Sequence, residues 1–383
     1  MQLKNKKIKI FCFNHIAITG GAELALSRLF NSLPHEEYEI IVVAPETGNL
    51  QKILNDSITC KIIDSPSNIF SQRRTSGKFK IKDLVMIFFY LLRLRKSISD
   101  FKPDVVLSNS IKSHVLIYFL SFLCRFKWIV WLHDSVDSQG FSKLWIQLLS
   151  VVFKRPGKIF CVSEYVMNCL HDLGVEKNKT EILYNSIQIR ENIIKRETDN
   201  SRIKIGMFGR LTPIKGHEFV INSFPKILDS NKNCHLYIYG DEFAESIGFK
   251  QKLIELIELK SLSESVHLMG FTPDPLSEMN KMDIILNATV VPDSFPTVLL
   301  EGLMLNKKVI SSDKGGSREI LENGKLGKLY DPRSNEEFIN SLNMLIKEDS
   351  SHFENGKSTI IEKYNIEVQV LKFENYLKKI IHE

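Results

Sequence analysis

The sequence predicts an α/β protein built from two doubly wound parallel-sheet domains in tandem. Three observations lead there. The chain has 383 residues and is 43% hydrophobic, more than one core usually organises and suited to two domains of roughly 190 residues. Short apolar runs alternate with longer helical patterns along both halves, the signature of a sheet covered by helices. The apolar runs are hydrophobic at consecutive rather than alternate positions, so the strands are buried on both faces, as in parallel sheets.

In the first half, residues 7–13, 39–43, 105–107, 128–131, 158–162 and 181–184 read as strands, with helical patterns at 23–33, 81–99, 111–122, 142–153 and 164–171. The polar stretch 188–202 breaks the alternation. We place a linker at 191–202, between a domain at 1–190 and another at 203–383. The second series has strands at 203–208, 235–239, 266–269, 283–287, 308–311 and 328–330, and helices that include 219–228, 249–259, 298–305 and 336–346. A last helical pattern, 366–381, is expected to pack back on the first domain. The halves share no detectable sequence repeat. Two such domains imply a cleft between them, and ligands of doubly wound folds sit just beyond the carboxyl ends of the strands.

Composition narrows the class. Charged residues make up 25% of the chain and no long stretch is low in complexity, which excludes a disordered or fibrous protein. The six cysteines include no Cys-x-x-Cys pair and no metal-finger spacing with histidine; they read as small buried hydrophobes in a reducing cytosol. The basic start MQLKNKKIKIFCF carries too short an apolar run for a signal peptide, with no small-residue cleavage site before Asn14-His15, and reads as the first strand. The most apolar segments, 84–92 and 115–124, are shorter than the ~20 residues a spanning helix needs. Charge is uneven: residues 1–190 hold 26 Lys/Arg against 16 Asp/Glu, and the rest 25 against 29. A basic first half suits an anionic partner.

Four segments carry chemistry. In VVPDSFPTVLLEGL, residues 290–303, Asp293 and Glu301 are separated by seven intervening residues, one on a loop leaving a strand and one inside an apolar helix. A carboxylate buried there needs a partner, and a ribose diol is a fitting one. The backbone around Phe295, Pro296, Thr297 and Val298 opens the helix, where free N–H groups attract anions. In GMFGRLTPIKGHEF, residues 206–219, Arg210 and Lys215 put two cations at a strand end and a helix start, a place for a diphosphate. In residues 311–332, Gly315-Gly316 follow a strand and Ser317 is a candidate cap for the next helix. In ITGGAELALSRLF, residues 18–30, Gly20-Gly21 lie between the first strand and its helix, with N–H groups available to a phosphate or sugar. The Gly-x-Gly-x-x-Gly dinucleotide fingerprint is absent.

These four segments, in this order, resemble the retaining family 4 glycosyltransferases of GT-B architecture. The resemblance covers nearly the whole chain and is densest at 203–332, which is similar to the glycosyl transferases group 1 domain. It rests on Gly209-Arg210…Lys215-Gly216, on Asp293, Phe295 and Glu301, and on Gly315-Gly316 with Glu319. In the first half it rests on Gly20-Gly21-Ala22-Glu23, Trp131-Leu132-His133-Asp134 and Tyr184-Asn185-Ser186-Ile187. Two positions depart from the pattern. Asp293 stands where the family usually has Glu, and Ser186 and Gln188 replace a glycine and an aspartate.

The resemblance implies GT-B, two Rossmann-like domains facing a central cleft. It also implies that Arg210 and Lys215 bind the diphosphate of a UDP- or GDP-sugar and that Glu301 binds its ribose. Asp293 and the Gly315-Gly316 backbone would hold the transferred sugar, Gly20-Gly21 would lie near the phosphates, and His133 would face the reacting sugar. Retention is likewise implied by the family. No Asp-x-Asp metal motif occurs, so the expectation is no cofactor and no essential metal ion. Residues 72–96 are basic and apolar together; they read either as a core helix with solvated flanks or as an element facing an anionic membrane and a lipid-linked or saccharide acceptor. Residues 65–77 read as a mobile acceptor-side loop. Stacking aromatics at nucleic-acid spacing are not evident. The expected setting is cytoplasmic, peripheral at the inner face of the plasma membrane, in surface polysaccharide synthesis. A sugar-nucleotide epimerase, a phosphorylase and a non-catalytic sugar-nucleotide-binding protein are the alternative readings.

Overall fold

The computed structural model describes residues 6–17, 20–65, 81–189, 202–243, 246–348 and 355–382. They form two compact units, Met1–Ser186 with Ile366–Glu383, and Ile187–Asn365. Of the linker expected at 191–202 only Arg202 is described, and of the loop expected at 65–77 only Ser65; the remainder of both lies outside the described residues.

The described residues of the first unit hold seven strands: β1 (Ile8–Phe13), β2 (Tyr38–Ala44), β3 (Thr59–Ile62), β4 (Val105–Ser108), β5 (Trp128–Leu132), β6 (Lys158–Cys161) and β7 (Thr180–Ile182). All pair in parallel, in the order β3-β2-β1-β4-β5-β6-β7. Every residue of β4 and β5 is buried, which is why these strands are apolar without alternation. β3 is an edge strand whose Thr59 and Lys61 are exposed. With no continuous apolar run, it escapes a sequence reading, as do the five-residue helices Asn49–Ile53 and Pro275–Met279, too short to show a period.

The second unit holds β8 (Ile203–Phe208), β9 (Cys234–Tyr239), β10 (Val266–Gly270), β11 (Ile284–Asn287), β12 (Lys308–Ser312) and β13 (Lys328–Tyr330), parallel in the order β10-β9-β8-β11-β12-β13. Both sheets are thus Rossmann-like. Each reverses direction once, between β1 and β4 and between β8 and β11. Loops diverge from the carboxyl ends at such a switch point and leave a crevice for a ligand.

The helix Ile366–His382 belongs to the first unit. Its Phe373 is fully buried, with ring centroids 6.4 Å from Phe30 and 5.9 Å from Phe160. Gln369, 1% exposed, accepts the Tyr184 N–H at 3.1 Å. Glu374 accepts the Tyr38 hydroxyl at 3.0 Å, and the Tyr376 hydroxyl donates to Glu181 at 3.0 Å.

The helix Ile81–Phe101 turns Tyr90, Leu94 and Ile98 inward at four-residue spacing. Its first turns also carry Leu84, Val85, Phe88 and Phe89, 49–58% exposed. No helix among the described residues is long and apolar enough to cross a membrane.

Phe373→Ala removes the ring that joins the last helix to the first sheet. It should cost about 3–5 kcal/mol, read as a lower urea midpoint. Leu371→Ala, at a side chain 61% exposed, should leave the midpoint nearly unchanged.

Candidate functional site

At the switch point of the second sheet, three loops are held together by their backbones. Gly209, directly after β8, has φ of 151° and donates its N–H to Tyr239 O at 3.0 Å. A Cβ on Gly240 would lie 1.8 Å from Gly209 O. Pro213–Lys215 form one 3-10 turn that ends at Gly216, whose φ is 74°. A Cβ there would lie 1.8 Å from Ala288 O, and Val290 N–H donates to Ile214 O at 3.0 Å. Gly315, after β12, has φ of 64°; a Cβ there would lie 2.0 Å from Asp293 O, and the next N–H, of Gly316, donates to that oxygen at 2.9 Å.

This contact brings together residues far apart in sequence. Lys215 Nζ sits 2.8 Å from Asp293 Oδ2, with the two side chains 28% and 20% exposed. The other carboxylate oxygen of Asp293 accepts the Phe295 N–H at 3.3 Å. The Arg210 guanidinium lies 5.7 Å from the centre of the Phe243 ring. The helix Thr297–Met304 starts behind Pro296 with no side-chain cap, so its first N–H groups, those of Thr297 and Val298, present a partial positive charge.

Four expectations about this region are corrected. Phe295 offers no free N–H, and its ring is buried against Tyr364 at 5.6 Å. Pro296 is buried and has no N–H to give. Glu301 is half-buried rather than enclosed, because the helix directs Leu299, Leu300, Leu303 and Met304 into the core and leaves Glu301 at the border. It lies one turn after Thr297, on the same face of the helix. Ser317 does not cap its helix; Gly316 is the cap residue, and the Ser317 hydroxyl accepts that of Ser311 at 2.9 Å.

The first unit has its own polar cluster at its switch point. Gly20 precedes the helix Gly21–Asn31, but its N–H is already taken by Glu23 Oε2 at 2.9 Å. That corrects its reading as an open anion site; Gly21 is exposed, with open space where a Cβ would lie. Glu23 also accepts from Asn14 Nδ2 at 3.2 Å. Burial raises the Glu23 carboxyl above its ordinary range, against the two hydrogen bonds. His133, just past β5, has Nε2 2.9 Å from Asn109 Oδ1, and its ring centroid is 4.7 Å from that of Trp131. Burial pulls its pKa down to about 4, partly opposed by the Asp134 charge and the Asn185 side chain. The imidazole is neutral at pH 7, able to take a proton on one nitrogen and give one from the other.

Asn14, Glu23 and Asn109 did not stand out in the sequence as site residues. The signal was present: Asn14 follows the apolar β1 directly, and Asn109 follows β4. A polar residue at the carboxyl end of a buried parallel strand lies where a doubly wound fold binds ligands.

The chain is similar to known glycosyltransferases in sequence and in fold. The sequence model for glycosyltransferase family 4 matches residues 19–191, and that for glycosyl transferases group 1 matches residues 188–367. An uncharacterized glycosyltransferase of Methanocaldococcus jannaschii is 28% identical over 256 residues, 60% of each chain. A lipopolysaccharide 1,2-N-acetylglucosaminetransferase of Salmonella typhimurium is 27% identical over 177 residues, 44% of this chain and 46% of that one. An N-acetylgalactosaminyltransferase of Campylobacter jejuni acting on a diphospho-undecaprenol-linked sugar is 28% identical over 207 residues, 53% of this chain and 54% of that one. The chain thus spans about half to three fifths of the length of these relatives. Among solved structures, Anabaena HepE in complex with UDP and glucose superposes with a TM-score of 0.83 at 19% identity, covering 97% of this chain and 99% of that one. A glycosyltransferase from Rickettsia africae gives 0.80 at 18%, covering 98% and 99%. These likenesses establish a common fold.

Histidines held below their ordinary pKa by burial, His114, His133 and His217 among them, make stability depend on pH. His133 and His217 are both pulled from 6.5 down to about 4 by burial. The unfolded chain takes up these protons near 6.5 and the native fold only near 4, so the unfolded state gains protons first on acidification. Stability should be full above pH 6.5 and fall progressively towards pH 4. Thermal melting at pH 7 and pH 5 checks this, and the drop should be shallower in His217→Gln.

Proposed function

The chain belongs to the family 4 glycosyltransferases of GT-B architecture, and on that premise we propose that it transfers a sugar from a nucleotide-diphosphate donor to an acceptor with retention of anomeric configuration. The observation that carries the reading is the Lys215–Asp293 pair at 2.8 Å, with the Gly315-Gly316 loop packed against the Asp293 backbone.

Cleaving the anomeric C–O bond develops positive charge on the sugar and negative charge on the leaving diphosphate. Lys215 and Arg210 stabilise that negative charge, with the N–H groups of Thr297 and Val298 beside them. One preorganised donor of this kind lowers a barrier by about 3–4 kcal/mol. Glu301 accepts the hydroxyls of the ribose. Asp293 and the Gly315-Gly316 backbone hold the sugar. The acceptor attacks from the face the diphosphate leaves, and the departing phosphate takes its proton. Protein cations serve here without an essential metal ion.

UDP is the favoured donor nucleotide over GDP, because the HepE structures hold UDP and UDP-glucose. A lipid-linked or saccharide acceptor is supported by the names of the Campylobacter and Salmonella relatives. The exposed Leu84, Val85, Phe88 and Phe89, with Arg93, Arg95 and Lys96 further along the helix, support peripheral attachment to an anionic membrane at its cytoplasmic face. Surface polysaccharide synthesis is the setting these features favour.

Purified protein incubated with UDP-, GDP- and ADP-sugars and a lipid-linked acceptor should release a nucleoside diphosphate from one donor class. Failure of every donor to bind or turn over at millimolar concentration ends the proposal. Conversion of one sugar nucleotide into another without an acceptor would make the protein an epimerase. Lys215→Met should lower turnover by about 100-fold or more, while Glu301→Gln should mainly raise the KM for the donor. EDTA should leave the rate unchanged.

A further inference from the structure

At the opposite end of the first sheet from its polar cluster, where the strands begin, lies a cavity of about 540 Å³. Its walls are the segments entering β5, β6 and β7 and the end of the helix Ile366–His382. Five cations line it, Arg125, Lys127, Arg155, Lys158 and Lys379, against one carboxylate, Glu181.

The plain structural use of these cations is to offset helix ends, each of which carries about half a negative charge at its carboxyl terminus. Lys127 does this, donating to Ile380 O at 2.8 Å and Ile381 O at 2.9 Å. Arg155 does it for the helix Ile111–Leu120, donating to Ser121 O at 3.1 Å. Lys158 is paired with Glu181 at 3.0 Å. Arg125 has no such employment, and Lys379, in the last turn of its own helix, lies 6.0 Å from the centre of the Tyr376 ring. Both are exposed, and among the described residues neither forms an ion pair. The remaining positive charge borders a half-open cavity large enough for a small organic ligand.

Apolar side chains adjoin the cavity at Arg155. Arg155 lies over the Phe122 ring at 4.0 Å from its centre. Phe122 is 60% exposed, and Phe119 and Val151 on the adjoining helices are 45% and 52% exposed. Cations lining the cavity, with the exposed Phe122 ring beside Arg155, match a ligand with a phosphate at one end and a nonpolar attachment at the other.

We propose that this cavity binds a phosphate ester of the glycerophosphate class, recognised by Arg125 and Lys379. The site is separate from the donor machinery of the second unit and does not rest on the sugar-transfer reading.

The test uses the full chain at low salt. Glycerol 3-phosphate is titrated by calorimetry, and in parallel the protein is floated with vesicles of phosphatidylcholine alone or mixed equally with phosphatidylglycerol. Calorimetric binding weakened at least tenfold by Arg125→Ser with Lys379→Ser, and unaffected by Arg210→Ala, supports the site and assigns a soluble ligand. Flotation only with phosphatidylglycerol, reduced by the same double variant, supports the site and assigns a lipid headgroup. Absence of both, or binding that the double variant leaves intact, overturns the proposal. So does flotation abolished only by replacing Phe88 and Phe89, since contact would then lie on the helix Ile81–Phe101. Nucleoside diphosphate release by the double variant reports separately on sugar transfer. The substituted side chains are exposed, so folding should be preserved, and a melting curve verifies it.

Discussion

Glycine backbones bring the loops of the second unit closer together than side chains would allow, and the rest of the candidate site depends on that contact. At Gly216 and Gly315 the conformation and the space both require glycine. Each has φ above 60°, and a Cβ at either would lie within 2.0 Å of a carbonyl oxygen on a neighbouring loop. Left-handed geometry alone costs an ordinary residue about 1–2 kcal/mol, and a clash with rigid backbone adds to it. These contacts fix the loop after β11 against the loops after β8 and β12. The meeting of Lys215 with Asp293, 78 residues apart in sequence, follows from them.

The strength of that ion pair matters as much as its position. Its partners are a quarter and a fifth exposed, closer to a screened pair than to one buried in a dry core. Exposed pairs contribute about 0–1 kcal/mol, and partial burial strengthens this one only moderately. It can therefore orient the ammonium without locking it away from a more highly charged partner. Asp293 is anchored on both sides, through its own carboxylate to Phe295 N–H and through its carbonyl to Gly316 N–H. The flexible member is Lys215, whose stem can swing. A glutamate here would reach one methylene further, so the aspartate sets the ammonium closer to the loop backbone.

How much of this was legible in the sequence depends on how local each feature is. The buried strands announced themselves because a parallel strand covered on both faces must be apolar at every position, as VVLS and WIVWL nearly are. Cations and carboxylates at strand ends were visible for the same reason: they interrupt such runs. Distances across loops were not visible. Nothing in ITGGAE says that the Gly20 N–H is consumed by Glu23 three residues later, because a glutamate at that place serves a helix start as readily as a ligand. Burial along the helix Thr297–Met304 was misjudged for a related reason. Apolar neighbours in sequence do not enclose Glu301 when successive residues point about 100° apart, and the face it shares with Thr297 is only half covered.

The basic excess of the first half can be followed in the same terms. A cation beside a helix carboxyl terminus or a carboxylate is accounted for by the fold, as with Lys127 and with Lys158 opposite Glu181. The cations that distinguish this unit are those left when such pairs are set aside. Some lie on the helix Ile81–Phe101, whose outward apolar residues would meet water at a cost of about 25 cal/mol per Å². Others line the cavity below the sheet, gathered around one space against a single carboxylate. Net charge alone, +10 over residues 1–190, could not separate these uses. Their separation comes from topology, since right-handed crossovers bring the carboxyl ends of the helices to the edge where the strands begin, and cations gathered at that edge exceed what the helix ends can absorb.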